Sequence, residues 1–563
     1  MANPRVVLLG LDGATFTVID FLVGRGRLPH LAALTSDGAR APLDSTVPPH
    51  SAAAWPSLVT GRNPGHHGLY EFYRRRAGSY RLEPINGGCV PGPKLWDLVG
   101  AAGKRVCVFN VPISYPPEAV NGVMVSGLDT PGRESDFASP ASLKVELLKL
   151  FPDYAIEIDE VERALRRERG PASGAARSER RGLLLRQLDQ ELAVADFLLA
   201  REDWDLAFLV ITAPDRAQHL FWSDFETLGR GEPVAADSAL VAAYERADAA
   251  LGRWRRRYPN RNWVVISDHG FGPLEKEFYL EQFLAENGWL RLRSSAGRAW
   301  ELAKGAARQP SRIARPLAAL ARQSAERLGE GQAALPAWVL DDPQRAVDWR
   351  RTRAYAVGDT GAIFLNLEGR EPQGAVKPAD YERVREDLAA ALLELRDPED
   401  GRPVVDRVFR REELYAGPRL AELPDLHIRL RDYSCRVVLH HHGPRGRYFG
   451  RPPERKPELY DTGAHRRDGI FLAAGTGFAR GARLERAALL DVLPTVLHAL
   501  GLPAPEEAEG RVLEEIFTPE FMRANPVKRA EAQPVTAAPG RPGYSQEEEK
   551  RISERLRQLG YLD

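Results

Sequence analysis

The segment Val6-Val-Leu-Leu-Gly-Leu-Asp12 decides the expected fold, because it is a short apolar run that ends abruptly in an acid. Helical patterns such as Arg181 to Leu199 and Ala235 to Arg256 follow later in the chain. They alternate with three more apolar runs of the same kind, Val106 to Phe109, Leu206 to Thr212 and Trp263 to Ser267. Fully apolar strands alternating with helices are typical of a sheet covered on both faces. The sequence therefore predicts an α/β fold with a doubly wound, mainly parallel sheet flanked by helices.

Length and composition exclude several classes of protein before any motif is considered. The chain has 563 residues with 78 Lys and Arg against 78 Asp and Glu, so its formal net charge is zero. This balance argues against a general nucleic-acid binder, which would carry a basic excess. The three cysteines lie far apart, which excludes a disulfide framework and a thiolate zinc site. We find no export signal and no apolar stretch of the roughly 18 residues that a membrane span needs, so we expect a cytoplasmic protein.

Changes in residue composition and hydrophobic pattern along the chain predict a core, an insertion and a tail. We expect residues 1–286 and 436–520 to form the two parts of a catalytic α/β core. Residues 287–435 are predicted to be an inserted cap, which starts with an Arg-rich helical segment and continues as a small α+β unit. The Arg-rich segment holds nine basic and two acidic residues between 291 and 327, and we expect a solvated face there rather than a membrane or acidic-partner contact. Residues 521–563 are predicted to be a linker and a helical tail.

The α+β unit of the cap is expected to have the order strand, helix, strand, strand. These elements are predicted at Ala354 to Leu367, Ala379 to Leu395, Val404 to Phe409 and Asp425 to Leu430.

Three aspartates, Asp12, Asp215 and Asp268, each lie just beyond an apolar run. In a parallel sheet the carboxyl ends of the strands lie at one edge, where ligands bind. An aspartate in such a place is most often a turn or cap residue, so each is weak evidence alone. Asn110 ends the second predicted strand at the same edge and is a candidate substrate contact.

Ser51 lies where a helix would begin, directly after Pro48, Pro49 and His50. The ordinary interpretation is that Ser51 is a helix N-cap. The functional interpretation uses the same geometry, because free backbone N–H groups and the positive end of the helix dipole favour a phosphate there.

Histidines accompany two of the aspartates. Asp215 and His219 have i, i+4 spacing in a helix that Pro214 can start, which puts both side chains on one face. His269 follows Asp268 on a glycine-rich turn, where both side chains can point inward. Together with His465, which precedes a predicted strand, these residues form a set of oxygen and nitrogen ligands. The set comprises Asp12, Ser51, Asp215, His219, Asp268, His269 and His465.

This ligand set is large enough for two divalent metal ions. Zn²⁺ fits its carboxylate and imidazole groups best, with Mn²⁺ or Fe as alternatives. Two metals about 4 Å apart suit in-line displacement at phosphorus, one on the attacking oxygen and one on the leaving oxygen.

The order of these motifs resembles the alkaline phosphatase superfamily, and within it the type I phosphodiesterase/nucleotide pyrophosphatase family. The resemblance spans about residues 5 to 515. It rests on five motifs: Gly10-Leu-Asp-Gly13, Pro-Pro-x-Ser51 with Thr60-Gly61 and Pro64-Gly-x-His67-Gly68, Asp215-x-x-x-His219, Ser267-Asp-His-Gly270, and Gly463-x-His465. Any one of them is weak, whereas five in the right order are strong.

The resemblance implies a role for each site residue. One metal would be held by Asp215, His219 and His465. The second would be held by Asp12, Asp268, His269 and the hydroxyl of Ser51. Ser51 would be the nucleophile of a phosphate-ester hydrolase, forming a phospho-serine intermediate that water hydrolyses.

Two departures from the family pattern leave the substrate class open. Many nucleotide pyrophosphatases have Thr as nucleophile and an Asn soon after it, whereas here Ser51 precedes Ala52 to Ala54. The second Asn of those enzymes is missing from His67-Gly-Leu-Tyr-Glu-Phe72. A small phosphorylated substrate is expected, and nucleotides, lipid head groups and sugar phosphates all stay open.

Competing functions also follow from the same residues. A phosphomonoesterase or phosphotransferase would use the same site, and a non-catalytic scaffold could keep the fold. The complete ligand set favours a catalyst, with phosphodiesters as the expected substrates. The sequence leaves open the oligomeric state, a homo-oligomer included, and the role of His440-His441-His442, which we interpret as an exposed loop cluster.

Overall fold

A computed structural model describes residues 4–76, 78–157, 174–201, 203–231, 238–293, 347–439, 446–451, 461–531 and 543–558. Most of the predicted Arg-rich helical segment and the His440–His442 cluster lie outside the described residues. Within the described ranges, no helix is both long enough and apolar enough to cross a membrane.

The strands are numbered in chain order. They are β1 Val6–Leu11, β2 Ala39–Asp44, β3 Tyr73–Arg75, β4 Leu82–Pro84, β5 Val106–Val111, β6 Gly122–Ser126, β7 Ala138–Ser139, β8 Leu206–Ile211, β9 Asn262–Ile266, β10 Gly270–Pro273, β11 Lys276–Phe278, β12 Ala354–Val357, β13 Ala362–Leu365, β14 Val405–Arg410, β15 Leu426–Leu430, β16 Cys435–Val437, β17 Phe449–Gly450, β18 Gly463–Arg466, β19 Asp468–Ala474, β20 Ala482–Arg483, β21 Ala487–Ala488, β22 Ala504–Pro505 and β23 Arg529–Ala530.

The α-helices are numbered in the same way. They are α1 Phe16–Val23, α2 Pro29–Asp37, α3 Ser51–Thr60, α4 Pro64–His67, α5 Leu95–Ala101, α6 Ala141–Leu150, α7 Gly174–Arg201, α8 Ala213–Gly229, α9 Ala239–Arg257, α10 Leu280–Glu286, α11 Tyr381–Leu393, α12 Arg411–Leu414, α13 Val492–Ala499, α14 Pro519–Ala524 and α15 Gln546–Gln558.

A ten-stranded central sheet organises the core. Its order is β20-β2-β19-β9-β1-β8-β5-β6-β7, and β21 also pairs with β2. The five strands β9, β1, β8, β5 and β6 run parallel to one another. Strand β19 runs antiparallel between β9 and β2. The predicted fold class, a mainly parallel sheet flanked by helices, is confirmed.

Both faces of the sheet are covered by helices, which explains why its strands are apolar throughout. In β1, Val7, Leu9 and Leu11 pack on the face covered by α1, α2, α7, α8 and α9. Val6 and Leu8 point to the opposite face and pack with α3, α5 and α13. Because successive side chains of a strand alternate between faces, a doubly covered strand needs apolar residues at every position.

The cap has its own four-stranded antiparallel sheet, in the order β12-β13-β15-β14, with α11 packed on it. The predicted single strand from Ala354 to Leu367 is wrong, because this segment is a hairpin of β12 and β13. Gly358 and Gly361 at its turn have φ of 68° and 81°, which only glycine adopts readily. The chain leaves the core through β11 and returns through β16, and these two strands pair in parallel.

The C-terminal helix α15 docks on the body of the molecule. Its Ile552 and Leu556 are buried in a cluster with Leu69, Phe72 and Tyr73. The division of the chain at residues 286, 435 and 520 stays a prediction.

Candidate active site

The three predicted carboxylates meet at one edge of the central sheet. Strand β1 lies between β8 and β9, with Gly10 level with Val210 on one side and Ile266 on the other. Asp12 therefore emerges between Asp215 and Asp268, which follow the two neighbouring strands. All three side chains are buried, with at most 4% of each residue exposed.

A glycine turn ties this edge together. Gly13 has φ of 66°, and its N–H donates to Asp268 Oδ1 at 3.2 Å. The carbonyl of Gly13 accepts a hydrogen bond from Gln218 Nε2 at 2.8 Å. A Cβ at Gly13 would lie 3.2 Å from Asp215 Oδ1, a contact tight enough that a neighbour would have to move by a few tenths of an ångström.

Asp215, His219 and His465 form a compact group. His219 Nε2 is 3.0 Å from His465 Nε2 and 3.6 Å from Asp215 Oδ1. His465 Nε2 is 3.4 Å from the same carboxylate oxygen. The helix α8 starts at Ala213 with Pro214 in its first turn, so the expected i, i+4 placement of Asp215 and His219 is realised. His465 lies in β18, which pairs with β10 and so brings its ring beside them.

His269 lies between this group and the other two carboxylates. Its Nε2 is 3.4 Å from Asp268 Oδ2, 3.8 Å from Asp12 Oδ1 and 3.9 Å from Asp215 Oδ1. Its Nδ1 faces the carbonyl of Gly270 at 3.1 Å, so an Nδ1–H donates there and the Nε2 lone pair faces the carboxylates.

Ser51 is the first residue of α3, and its side chain is buried among these groups. Its Oγ is 3.2 Å from His269 Nε2. The interpretation of Ser51 as the helix N-cap is wrong: His50 takes that position, because its Nδ1 accepts the Ala52 N–H at 3.3 Å. The hydroxyl of Ser51 therefore has no capping role and faces the site.

The carboxylate and imidazole groups of this site are suited to bind divalent cations. Within the described part of the chain, no hydrogen-bond donor meets three buried carboxylate oxygens: Asp12 Oδ1, Asp215 Oδ1 and Asp268 Oδ2. Buried carboxylate oxygens need a proton, a donor or a cation. Two groups have their ligand atoms within 4.8 Å of one another, Asp215 with His269 and His465, and Asp12 with Asp268 and His269. Carboxylate and imidazole ligands of this kind are those that Zn²⁺ and Mn²⁺ accept.

The pKa values of Asp12 and Asp215 are shifted in opposite directions. Burial, together with the charges of Asp268 and Asp215, raises the pKa of Asp12 well above its usual value. Burial alone would also raise the pKa of Asp215, but His219, His465 and Arg216 outweigh it and lower that pKa. Burial lowers the pKa of His269, which favours the neutral ring that a metal ligand needs.

Asn110, the predicted substrate contact, has its amide directed into the sheet. Its backbone is left-handed, with φ of 59°. Its Nδ2 is 3.2 Å from the carbonyl oxygen of Val210 and 3.5 Å from Glu191 Oε1. A substrate contact by Asn110 stays a prediction.

A second cluster, which no sequence pattern predicted, lies beside the start of α3. His50, Glu71 and Asp359 have ligand atoms within 4.8 Å of one another, and Glu71 is fully buried. His50 Nε2 is 3.4 Å from Glu71 Oε1. Because Nδ1 of His50 accepts the Ala52 N–H, a neutral His50 carries its proton on Nε2 and has no lone pair there for a cation. Only the position of His50 directly before Ser51 could have suggested this cluster.

A cleft of about 680 Å³, counted with the solvent space at its mouth, leads to His219 and His465 between the core and the cap. Its apolar lining residues are Pro48, Pro49, Ile428, Leu430 and Val437. The polar lining residues Asp359, Thr360, Tyr433, Arg436 and Asp461 lie among them.

The fold and this cluster of carboxylate, imidazole and hydroxyl groups define a metal-dependent phosphoester hydrolase. The model of the family "Type I phosphodiesterase / nucleotide pyrophosphatase" matches residues 6–462. The match covers most of the chain, which therefore belongs to the type I phosphodiesterase/nucleotide pyrophosphatase family. The resemblance inferred from the motifs is confirmed at this level. No curated protein sequence matches the chain.

Solved structures with a similar architecture share little sequence with this chain. Murine ectonucleotide pyrophosphatase/phosphodiesterase 5, an inactive variant in complex with AMP, is 12% identical, with a TM-score of 0.48 over 92% of this chain and 100% of the murine chain. Phosphonoacetate hydrolase from Sinorhizobium meliloti 1021, in complex with phosphonoformate, is 16% identical, with a TM-score of 0.49 over 88% of this chain and 96% of its own.

Proposed function

We propose that this protein hydrolyses small phosphodiesters with Ser51 as the nucleophile. The observation that carries the proposal is the position of the Ser51 hydroxyl at the start of a buried helix, 3.2 Å from His269 Nε2. The same His269 nitrogen is within 3.9 Å of carboxylate oxygens of Asp12, Asp215 and Asp268. The N-terminal end of α3 also favours the negative charge of a phosphoryl group.

Two divalent cations, Zn²⁺ in our proposal, would be held by two sets of side chains. The first set is Asp215, His219 and His465, whose ligand atoms lie within 3.6 Å of one another. The second set is Asp12, Asp268, His269 and the Ser51 hydroxyl. When bound, the cations supply charge stabilisation at the phosphoryl oxygens and favour the deprotonated forms of the hydroxyl and of water.

The reaction needs two displacements at phosphorus. In the first, Ser51 loses its proton, an Oγ–P bond forms and the bond between phosphorus and one ester oxygen breaks; the departing oxygen takes up a proton. In the second, a water oxygen bonds to phosphorus, the Oγ–P bond breaks and Ser51 regains its proton. The intermediate on Ser51 keeps the second organic group, and the product is a phosphomonoester.

The cleft supports a diester rather than a monoester as the substrate. A monoester presents two negative charges on terminal oxygens, which proteins bind with free Arg or Lys side chains. Among the described lining residues the only guanidinium is that of Arg436, and it is paired with Glu277 at 2.7 Å and Asp461 at 2.9 Å. The apolar lining residues, such as Ile428, Leu430 and Val437, suit the second organic group of a diester.

The test compares the parent protein with Ser51→Ala on bis-p-nitrophenyl phosphate and on p-nitrophenyl phosphate, with added Zn²⁺ or Mn²⁺. We expect the parent to prefer the diester and the variant to lose turnover while it still binds metal. Undiminished turnover by Ser51→Ala would remove Ser51 from the mechanism. A preference for the monoester would replace the diesterase assignment by a phosphatase. Metal content well under one ion per chain would favour a scaffold.

A further inference from the structure

The two ring nitrogens of each ligand histidine have different surroundings. His465 Nδ1 lies 3.0 Å from the carbonyl oxygen of Pro49, and His269 Nδ1 lies 3.1 Å from that of Gly270. In both rings an Nδ1–H therefore donates to a backbone carbonyl, and Nε2 presents its lone pair to the site.

His219 differs from the other two at Nδ1. This nitrogen is buried and has no hydrogen-bond partner among the described residues, and an acidic oxygen, Oδ2 of Asp461, lies 3.7 Å away. The Nε2 of the same ring faces His465 and Asp215 at 3.0 and 3.6 Å. Asp461 thus approaches the edge of the ring that is turned away from the ligand set.

Asp461 is held in this place by the two strands through which the chain leaves and re-enters the core. Arg436, in the return strand β16, donates to Asp461 Oδ2 at 2.9 Å and to Glu277 Oε1 at 2.7 Å. Glu277 lies in the exit strand β11, which pairs with β16. The next residue along the chain, Thr462, donates its N–H to the carbonyl of His219 at 2.7 Å, which ties the Asp461 segment to the His219 backbone.

We propose that Asp461 is a positioning residue for His219: its negative charge, 3.7 Å from Nδ1, favours the tautomer with the proton on Nδ1 and so leaves the Nε2 lone pair for the metal. The proposal rests on the metal-dependent function proposed above. Asp461 would fix the tautomer of His219, as the backbone carbonyls of Pro49 and Gly270 fix the tautomers of His465 and His269. A carboxylate makes the imidazole a stronger ligand than a carbonyl does. Arg436 also links Asp461 to the return strand β16.

The experiment measures metal binding rather than turnover. The full-length metal-free protein is titrated with Zn²⁺, and separately with Mn²⁺, in competition with a chromophoric chelator. Asp461→Ala and Asp461→Asn are compared with the parent. The matched control is Glu277→Gln, which removes the other carboxylate on Arg436 but leaves Asp461 facing His219. Thermal unfolding of the metal-free proteins shows that each variant is folded, and Asp461→Asn serves if Asp461→Ala is not.

We expect the parent to bind two metal equivalents. We expect Asp461→Ala to weaken one of them by about 10- to 100-fold while the other is unchanged, and Glu277→Gln to change both by less than about threefold. Affinities within twofold of the parent in both Asp461 variants would overturn the inference, as would an equal loss in Glu277→Gln. Complete loss of one equivalent would make Asp461 a direct ligand and overturn the positioning role. A parent that binds no metal would overturn the proposed function itself.

Discussion

Replacing Gly13 by Ala tests whether the turn that follows Asp12 requires a residue without a side chain. Its φ of 66° is left-handed, and such a conformation costs an L-residue about 1–2 kcal/mol. The stiffer unfolded chain of the Ala variant returns about 0.4–1 kcal/mol, so the backbone effect alone is roughly 0–1.6 kcal/mol. In addition, the new Cβ would lie 3.1 Å from the Phe271 ring and 3.2 Å from Asp215 Oδ1. An ordinary contact begins at 3.4 Å, so a neighbour must move by about 0.3 Å.

Gly26→Ala is the matched control for this experiment. Gly26 has φ of 71°, and a Cβ there would meet no heavy atom of the described residues within 4 Å. In both variants the free energy of unfolding, measured with urea, should fall by the cost of placing Ala in a left-handed backbone conformation. Only Gly13→Ala should lose activity on bis-p-nitrophenyl phosphate, by about tenfold or more, because small displacements at a catalytic centre cost rate steeply. Full activity in Gly13→Ala, or an equal loss in Gly26→Ala, would refute the reasoning about the turn.

Three further predictions concern a ligand, a buried histidine and the tail. Asp215→Asn should lose one metal equivalent in elemental analysis and at least about 100-fold in turnover, whereas retention of both metals would contradict its role. Burial lowers the pKa of His427 to about 3 from 6.5, so the unfolded chain binds more protons between these values and stability falls as the pH drops through that window. At pH 5 this loss is about 2 kcal/mol relative to neutral pH, and His427→Leu should abolish it; an unchanged pH dependence of the urea midpoint would contradict this. Ile552→Asp should release α15 and lower the thermal midpoint, because Ile552 is 2% exposed and its burial contributes about 1.5–3 kcal/mol; an unchanged midpoint would show that the docking is not stabilising.

The grouping of the three aspartates at one edge of the sheet could be predicted from the sequence, because it depends only on short local patterns. Each of Asp12, Asp215 and Asp268 lies just beyond an apolar run, and the carboxyl ends of parallel strands lie at one edge of the sheet. The i, i+4 pair of Asp215 and His219 needed only a helix start at Pro214. Fold class and ligand candidates could therefore be predicted together.

Contacts between distant segments could not be predicted in this way. No local pattern shows that β18 pairs with β10 and brings His465 beside His219, or that β19 is antiparallel. The approach of Asp461 to His219 depends on the pairing of β11 with β16. The N-cap of α3 could not be predicted either, because it depends on the conformation of the His50 side chain, whose Nδ1 accepts the Ala52 N–H.

The covalent intermediate on Ser51 tests the central claim most directly. The parent protein is mixed with bis-p-nitrophenyl phosphate and Zn²⁺, quenched in acid within the first turnovers, digested and examined by mass spectrometry, with Ser51→Ala treated identically. The account predicts a nitrophenyl-phosphoryl group on Ser51 of the parent and none on the variant. Turnover without any adduct on Ser51, together with an active Ser51→Ala variant, would contradict it.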